Sequence, residues 1–332
     1  MDSLTQLALG AALGEAAAGK KVGSRAAVWG AICGTLPDLD VFYPFADAVA
    51  AFTYHRGYSH SVFVLTAVSP LIAWLIVKIH PGTRRHWRAW CWVAALALIT
   101  HPLLDACTVY GTQLLLPFSE HPFGIANIFV IDPLYTLPLV LGVLSALVWR
   151  RRAQRAAPAK GNSMRLMATR FNHVGLAVST AYLVCTLGLK MHAHATIEQS
   201  LARWNITPER FIVMPTPFNA LLWRAVAFDG ARYVETFYSL LDDAPPSEYI
   251  EYPTGHGDLG RLAETAPVRR LVWFTKGFYR VRNRGNEIWL EDIRMGLFDD
   301  FVFSFRVGVN EGGDEKLSAS IEKAPRTQPS PE

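Results

Sequence analysis

From its start to about Leu189 the chain keeps returning to apolar runs, Ser61–Ile79, Ala89–Ala106, Pro133–Trp149 and His173–Leu189. These approach the roughly 20 residues needed to cross hydrocarbon, where only helices or closed barrels satisfy the backbone. Two earlier runs, Leu4–Ala18 and Val22–Leu36, are shorter and rich in Gly and Ala, so tilted spans, a tightly packed hairpin and partly re-entrant segments are all open. They carry Gly10-x-x-x-Gly14 and Gly30-x-x-x-Gly34, a spacing that lets backbones approach closely, although any alanine-rich helix could show it. Composition agrees with a membrane protein: of 332 residues 51% are hydrophobic and only 18% charged. No basic stretch precedes the first run, so a cleaved signal peptide is not expected. Cys33, Cys91, Cys107 and Cys185 lie in or beside apolar runs without a C-x-x-C pair and read as small core residues.

The net charge of +4 is placed unevenly. Lys20, Lys21 and Arg25, then Lys78, Arg84, Arg85 and Arg88, then the series from Arg150 to Arg170 occupy alternate connections. The connections 37–60 and 106–132 hold only Arg56. Positive charge stays in the cytoplasm, so these two are expected on the outer side of a bacterial inner membrane, and nucleic acid is not expected as a partner.

Three motifs fall in or beside those outer connections. Leu36-Pro37-Asp38-Leu39-Asp40 ends one apolar run, His55-Arg56-Gly57-Tyr58-Ser59-His60 opens another, and His101-Pro102-Leu103-Leu104-Asp105 ends a third. Histidines and carboxylates at such positions are costly unless they bind something. His101 and Asp105 are four apart and share a helix face, and Asp38 and Asp40 alternate on an extended stretch. Asp38, Asp40, His55, His60, His101 and Asp105 are therefore the candidate metal ligands, for one or two divalent ions. Mixed imidazole and carboxylate donors favour zinc, manganese or iron. Of these, Asp40 and His60, with Arg56 as a stabiliser of developing negative charge, are the candidate catalytic residues. Plain alternatives stand beside each motif: a buried His–Asp pair, capping aspartates, an arginine on lipid phosphates. His80 and His86 read as surface residues, His121 as a turn residue, and His192 and His194 as interfacial.

At these motifs the chain resembles the YdjM/YbcI/YfhP-type family of bacterial membrane proteins, known as membrane-bound metal-dependent hydrolases. The resemblance rests on Met1-Asp2-Ser3-Leu4-Thr5, the three motifs above, Tyr110-Gly111-Thr112-Gln113-Leu114-Leu115-x-Pro117-Phe118-Ser119 and Ile131-Asp132-Pro133-Leu134-Tyr135. It implies a distant kinship with zinc-dependent phospholipase C and P1-type nucleases, and so phosphodiester hydrolysis at a His/Asp-rich site. Many relatives have histidine where this chain has Gln6, which leaves a third ion in doubt. Tyr110 and Gln113 are, with Arg56, candidate substrate-binding residues. Asp132 before Pro133 suits a helix N-cap, and Glu15 should lie too deep to reach the site.

The expected fold is mainly α. A polytopic helical membrane domain of five to six hydrophobic segments (1–150, with the metal site) is followed by a basic cytoplasmic linker (151–171) and a final transmembrane helix (172–195). A small β-rich extracytoplasmic domain (196–309) and a disordered tail (310–332) complete it. Its strands are expected at Arg210–Met214, Leu221–Phe228, Arg232–Leu240, Leu271–Phe274, Gly277–Val281, Glu287–Ile293 and Val302–Val307, with a hairpin turn at Arg282–Asn286. The expected function is a membrane hydrolase of lipid or lipid-linked phosphoesters; the alternative is a non-catalytic regulatory or scaffolding protein with a structural metal. The residues do not fix an oligomeric state.

Overall fold

The computed structural model describes residues 1–310 and 317–323 and divides into two compact units. The first comprises Met1–Phe42, Arg56–Lys190 and Pro215–Ala220; the second comprises Tyr43–His55, Met191–Met214 and the residues from Leu221 onward.

The first unit is helical: α1 (Ser3–Val22), α2 (Arg25–Thr35), α4 (Val62–Ile79), α5 (Trp87–Asp105), α6 (Pro133–Arg155) and α7 (Pro158–Arg203), which continues into the second unit. α3 (Ala48–Tyr54) belongs to the second. Among the described residues three helices, α4, α6 and α7, are long and apolar enough to cross a membrane, not five to six. The reasons differ for the others. The 11 residues of α2 reach only ~16 Å at helical rise, about half a hydrocarbon core. α1 carries Gln6, Glu15, Lys20 and Lys21, and α5 opens beside Arg88, ends in His101 and Asp105, and buries Trp90, Val93, Ala94, Ala97 and Leu98 within the protein. The stretch 151–171, expected as a linker, is the end of α6 and the start of α7, broken only around Ala156.

α1 and α2 pack as a close hairpin. A Cβ on Gly10 would stand 2.3 Å from the Gly30 carbonyl oxygen, and one on Gly14 2.2 Å from that of Ala26. Both small-residue spacings therefore serve a backbone contact. Other elements are set by capping: Ser61 accepts from Val64 N–H at 3.3 Å to open α4. Asp132 accepts from the backbones of Leu134 and Tyr135 and from the Tyr182 hydroxyl, with Pro133 first in α6. Glu15 is not free in the interior: Arg150 donates Nε–H to its Oε1 at 2.6 Å. All four cysteines are unbridged.

The second unit has two four-stranded antiparallel sheets. One runs in the order β1 (Arg210–Pro215), β2 (Leu222–Asp229), β3 (Arg232–Ser239), β4 (Ile250–Pro253). In the other, β5 (Tyr279–Arg284) and β6 (Glu287–Asp292) form a hairpin turning at Gly285, and β9 (Ser304–Asn310) and β10 (Leu317–Lys323) complete the order β10-β9-β6-β5. β7 (Gly296–Leu297) and β8 (Asp300–Phe301) make a short ribbon.

Two expectations are corrected. Leu271–Phe274 is the end of helix α8 (Ala266–Phe274), whose buried Val268, Leu271 and Phe274 recur every third residue, the period of a helix rather than a strand. Within the tail, Leu317–Lys323 pairs with β9 from Leu317↔Asn310 to Lys323↔Phe305; the rest of that tail lies outside the described residues. α3 sits in this unit because Phe52 packs against Phe274, Phe303 and Phe305, with ring centroids 4.9, 4.7 and 5.1 Å away. Thr53 accepts from Arg270 Nε at 2.6 Å.

Candidate metal centre

Four donors from three places in the chain converge at one end of the first unit. Pro37 follows α2 and starts a 3-10 turn (Pro37–Phe42) that carries Asp38; His60 ends a second 3-10 turn just before α4; His101 and Asp105 share the last turn of α5. The donor atoms of Asp38, His60, His101 and Asp105 all lie within 4.8 Å of one another, the one such group among the described residues.

The hydrogen bonds around the two imidazoles fix which nitrogens face inward. The Gly34 carbonyl can only accept, so His101 donates to it from Nδ1, at 2.6 Å. Ser59 Oγ donates to Asp40 Oδ2 at 2.6 Å, which leaves the Ser59 Oγ lone pairs to accept from His60 Nδ1 at 2.9 Å. Both rings, when neutral, then present Nε2 lone pairs to each other at 3.1 Å. Asp105 Oδ2 is 3.3 Å from each Nε2, and Asp38 Oδ1 is 3.4 and 3.6 Å from those of His101 and His60. A tetrahedron with metal–ligand bonds of ~2.0–2.1 Å has edges of ~3.3 Å. Five of the six donor separations, from 3.1 to 3.6 Å, are close to such an edge, and the Asp38–Asp105 separation lies within 4.8 Å, so the group is compact enough for one ion. Asp105 Oδ2 is buried without a hydrogen-bond partner, which is the acceptor such an ion requires.

The neighbours hold the donors in place. Asp105 Oδ1 accepts from Gln6 Nε2 at 3.2 Å and lies against the Met1 nitrogen; Gln6 Nε2 also donates to the His101 carbonyl at 3.1 Å. The close α1–α2 hairpin brings Gln6 and Gly34 to His101. A Cβ on Gly34 would stand 2.6 Å from the Gln6 carbonyl oxygen. Burial pushes the Asp38 carboxyl up, but the His101 and His60 rings outweigh it and hold the group well below its ordinary range.

Arg56 is 6% exposed with φ +63°, a left-handed conformation fixed where its N–H donates to Asp40 Oδ2 at 3.0 Å and its carbonyl accepts from Gln113 N–H at 3.0 Å. Its Nη2 is 3.5 Å from Asp105 Oδ1, its guanidinium lies 4.9 Å from the Tyr110 ring centroid, and its buried Nε has no hydrogen-bond partner.

Of the residues expected from sequence, Asp38, His60, His101 and Asp105 come together, with Arg56, Tyr110 and Gln113 around them. Asp40 stands on the Nδ1 side of His60, at 3.6 Å, and orients that ring rather than joining the four donors. His55 caps α3 in the second unit and is not among them, because the chain leaves the first unit between Phe42 and Arg56. His192 and His194 also lie outside the group, against Tyr238 and Phe211, and His121 packs on Phe123. His80 accepts from Trp29 Nε1 at 3.0 Å rather than standing free in solvent. Sequence reasoning assigned no role to Ser59 or the Gly34 carbonyl; the S-H pair in the motif was the available signal for the first, and none existed for the second.

Residues 1–194 match the YdjM inner membrane protein family. The chain belongs to that family. A curated relative, the uncharacterized protein YfhP of Bacillus subtilis (strain 168), is 30% identical over 140 residues, which cover 40% of this chain and 42% of that protein. The chain thus spans less than half of that relative's length. No solved structure matches. The matched span holds every donor of this YdjM-family site and ends before the β sheets. Family and apolar helices together place the protein in the membrane.

Proposed function

We propose that this protein is a metal-dependent hydrolase of phosphoesters or phosphodiesters carried by lipids, working at the outer face of the membrane. The observation that carries the reading is the convergence of two imidazole lone pairs and two carboxylate oxygens, one of them unpartnered, with separations that suit a single ion. Asp38, His60, His101 and Asp105 would hold it, mixed imidazole and carboxylate donors suiting zinc, manganese or iron. Such an ion would supply Lewis-acid polarisation of a phosphoryl oxygen and, with a water as fifth ligand beside the four donors, a nucleophile that ionises near neutral pH.

The chain's own groups do the rest. The Ser59–Asp40 pair holds the proton on His60 Nδ1 and so keeps Nε2 available, and the Gly34 carbonyl does the same for His101. Arg56 is desolvated, pre-set by its backbone and has a free Nε–H, so it can meet the charge that develops on a phosphoryl group without reorganising. The guanidinium lies over the Tyr110 ring, which helps hold it in place. The outer location is supported by the basic connections after α1, α4 and α6, which lie at the helix ends away from the four donors.

A second reading, a structural metal in a scaffolding or regulatory protein, draws on the same count: four protein donors close a tetrahedral zinc site without water. Elemental analysis of detergent-purified protein decides the first step. About one equivalent of a transition metal is expected in wild type and none in His60→Ala/Asp105→Ala. Metal-free wild type after reconstitution removes both readings, whereas bound metal with no turnover on a lipid and aryl phosphodiester panel leaves the structural one.

A further inference from the structure

The turn that carries Asp38 and Asp40 has a second face. Leu39, Val41 and Phe42 alternate with and follow the two carboxylates and are 53%, 64% and 81% exposed. Asp40 is tied to Ser59, so the turn stands beside the start of α4, where Tyr58 and Phe63 are bare; Phe63 stacks edge to face on the exposed Phe118, centroids 5.0 Å apart. Six large apolar side chains thus rim the end of the first unit that holds the metal ligands. Isolated exposed apolar residues need no explanation, but a set gathered at a charged site does.

What covers this rim follows from its neighbour. α4 is one of the three helices suited to cross a membrane, and only 22% of its apolar window is buried in the protein, so Leu71, Trp74 and Leu75 lie bare along it. The rim continues that lipid-facing surface past the helix start. Between Leu36 and Phe45 the only charged residues are Asp38 and Asp40, whose carboxylates approach the two imidazoles. A protein partner would be expected to find a polar rim there. A bilayer boundary, apolar with aromatic residues, matches what is present.

We propose that Pro37–Phe42 is a membrane-embedded lip: Leu39, Val41 and Phe42 sit where headgroups meet acyl chains, and the substrate is an amphiphile whose anionic head reaches the cluster while its hydrocarbon stays in the bilayer. The chemistry in this proposal rests on the hydrolase reading; the membrane contact does not. One short turn does both jobs, since Asp38 approaches both imidazoles and Asp40 approaches His60 while Leu39, Val41 and Phe42 are left exposed.

Two readouts test it. First, p-benzoylphenylalanine is placed at Phe42 in full-length protein reconstituted in phosphatidylethanolamine/phosphatidylglycerol vesicles and irradiated. A covalent adduct with the mass of a phospholipid is expected; a crosslinked dimer, or no lipid adduct, overturns the lip. Second, Val41→Ser/Phe42→Ser is compared with wild type on soluble bis(p-nitrophenyl) phosphate and on a dioleoyl lipid bearing a p-nitrophenyl phosphodiester head. Removing apolar area from the lip should lower the ratio of lipid to soluble turnover by roughly tenfold or more. Equal loss on both substrates overturns the lip's part in substrate choice. Wild type that hydrolyses neither substrate defeats the hydrolase reading and with it the substrate claim, while the crosslink still decides the membrane contact.

Discussion

Both units bury charge, and they do it in opposite ways. In the β unit the buried cations and anions answer one another: Arg224 pairs with Glu235, Arg280 with Glu291 and also with the exposed Asp299, Arg294 with Asp292. At the end of α5 two imidazole Nε2 atoms and two carboxylates face a common point, and Arg56 lies to one side, 3.5 Å from Asp105 Oδ1. The first pattern balances its own charge, although Arg224 Nη2, Glu235 Oε2 and Arg294 Nη1 find no hydrogen-bond partner there. The second gathers its donors around one point and suits a bound cation. Burial of charge, or a single unpartnered polar atom, therefore says little about function; whether opposite charges pair off or donors gather around a common point says much more.

The largest expected effect tests the self-contained side. Glu235→Leu strands Arg224, which is 1% exposed, and should destabilise the protein by about 3–5 kcal/mol, whereas Arg224→Met/Glu235→Leu should recover most of that loss because no lone charge remains. Urea unfolding in detergent, followed by tryptophan fluorescence, measures both. A double variant as unstable as the single one would mean that packing, not charge pairing, governs this core.

Chelation probes the other side. Any ion held by the four donors stabilises the folded state by mass action, about 4 kcal/mol at a thousandfold excess over Kd. A chelator should therefore lower the melting temperature of wild type and of the Arg224→Met/Glu235→Leu protein alike, and leave His60→Ala/Asp105→Ala unmoved. Equal chelator responses in all three would break the contrast between the units. A smaller step sharpens it: Ser59→Ala removes the acceptor for His60 Nδ1–H and should weaken metal affinity about 10–100-fold while the four donors remain. Competition with a fluorescent zinc chelator reads this directly.

Much of the site was legible because its chemistry is local. His101 and Asp105 share a face at four-residue spacing, Pro37 sets Asp38 free of α2, and the Lys/Arg pattern put the motifs at one end of the helices before any contact was known. Other features depend on partners the sequence does not display. His55 and His60 looked equivalent five residues apart, but Phe52 binds α3 into the aromatic core of the second unit and takes His55 with it. Hydrophobicity also overstated the spans: α5 is apolar because it is buried by other helices, and α2 because its small residues meet α1. Leu271–Phe274 looked like a strand because four apolar residues carry no period, and only the wider window back to Val268 reveals the helix.

The smallest effect concerns a charge that belongs to neither pattern. Lys276 lies in the β unit at φ +57°, just before Gly277 at φ +76°, where the chain turns from α8 into β5. Burial, with some help from Arg294, pushes its amine down to about 8. The sign is that of a lysine with a depressed folded-state pKa. Below about pH 8 the amine is charged in both states and the full penalty of holding it in the fold is present; as pH rises toward 10.5 only the unfolded chain still binds the proton, so the penalty fades and stability rises. Lys276→Gly removes both the amine and the left-handed strain of a side-chain-bearing residue, and should stabilise the protein by about 1 kcal/mol near neutral pH. The advantage should shrink between pH 8 and 10.5 to the backbone part alone. Denaturation of the two proteins at pH 7 and pH 10 makes the comparison, and a gain that does not depend on pH would assign the whole effect to the turn.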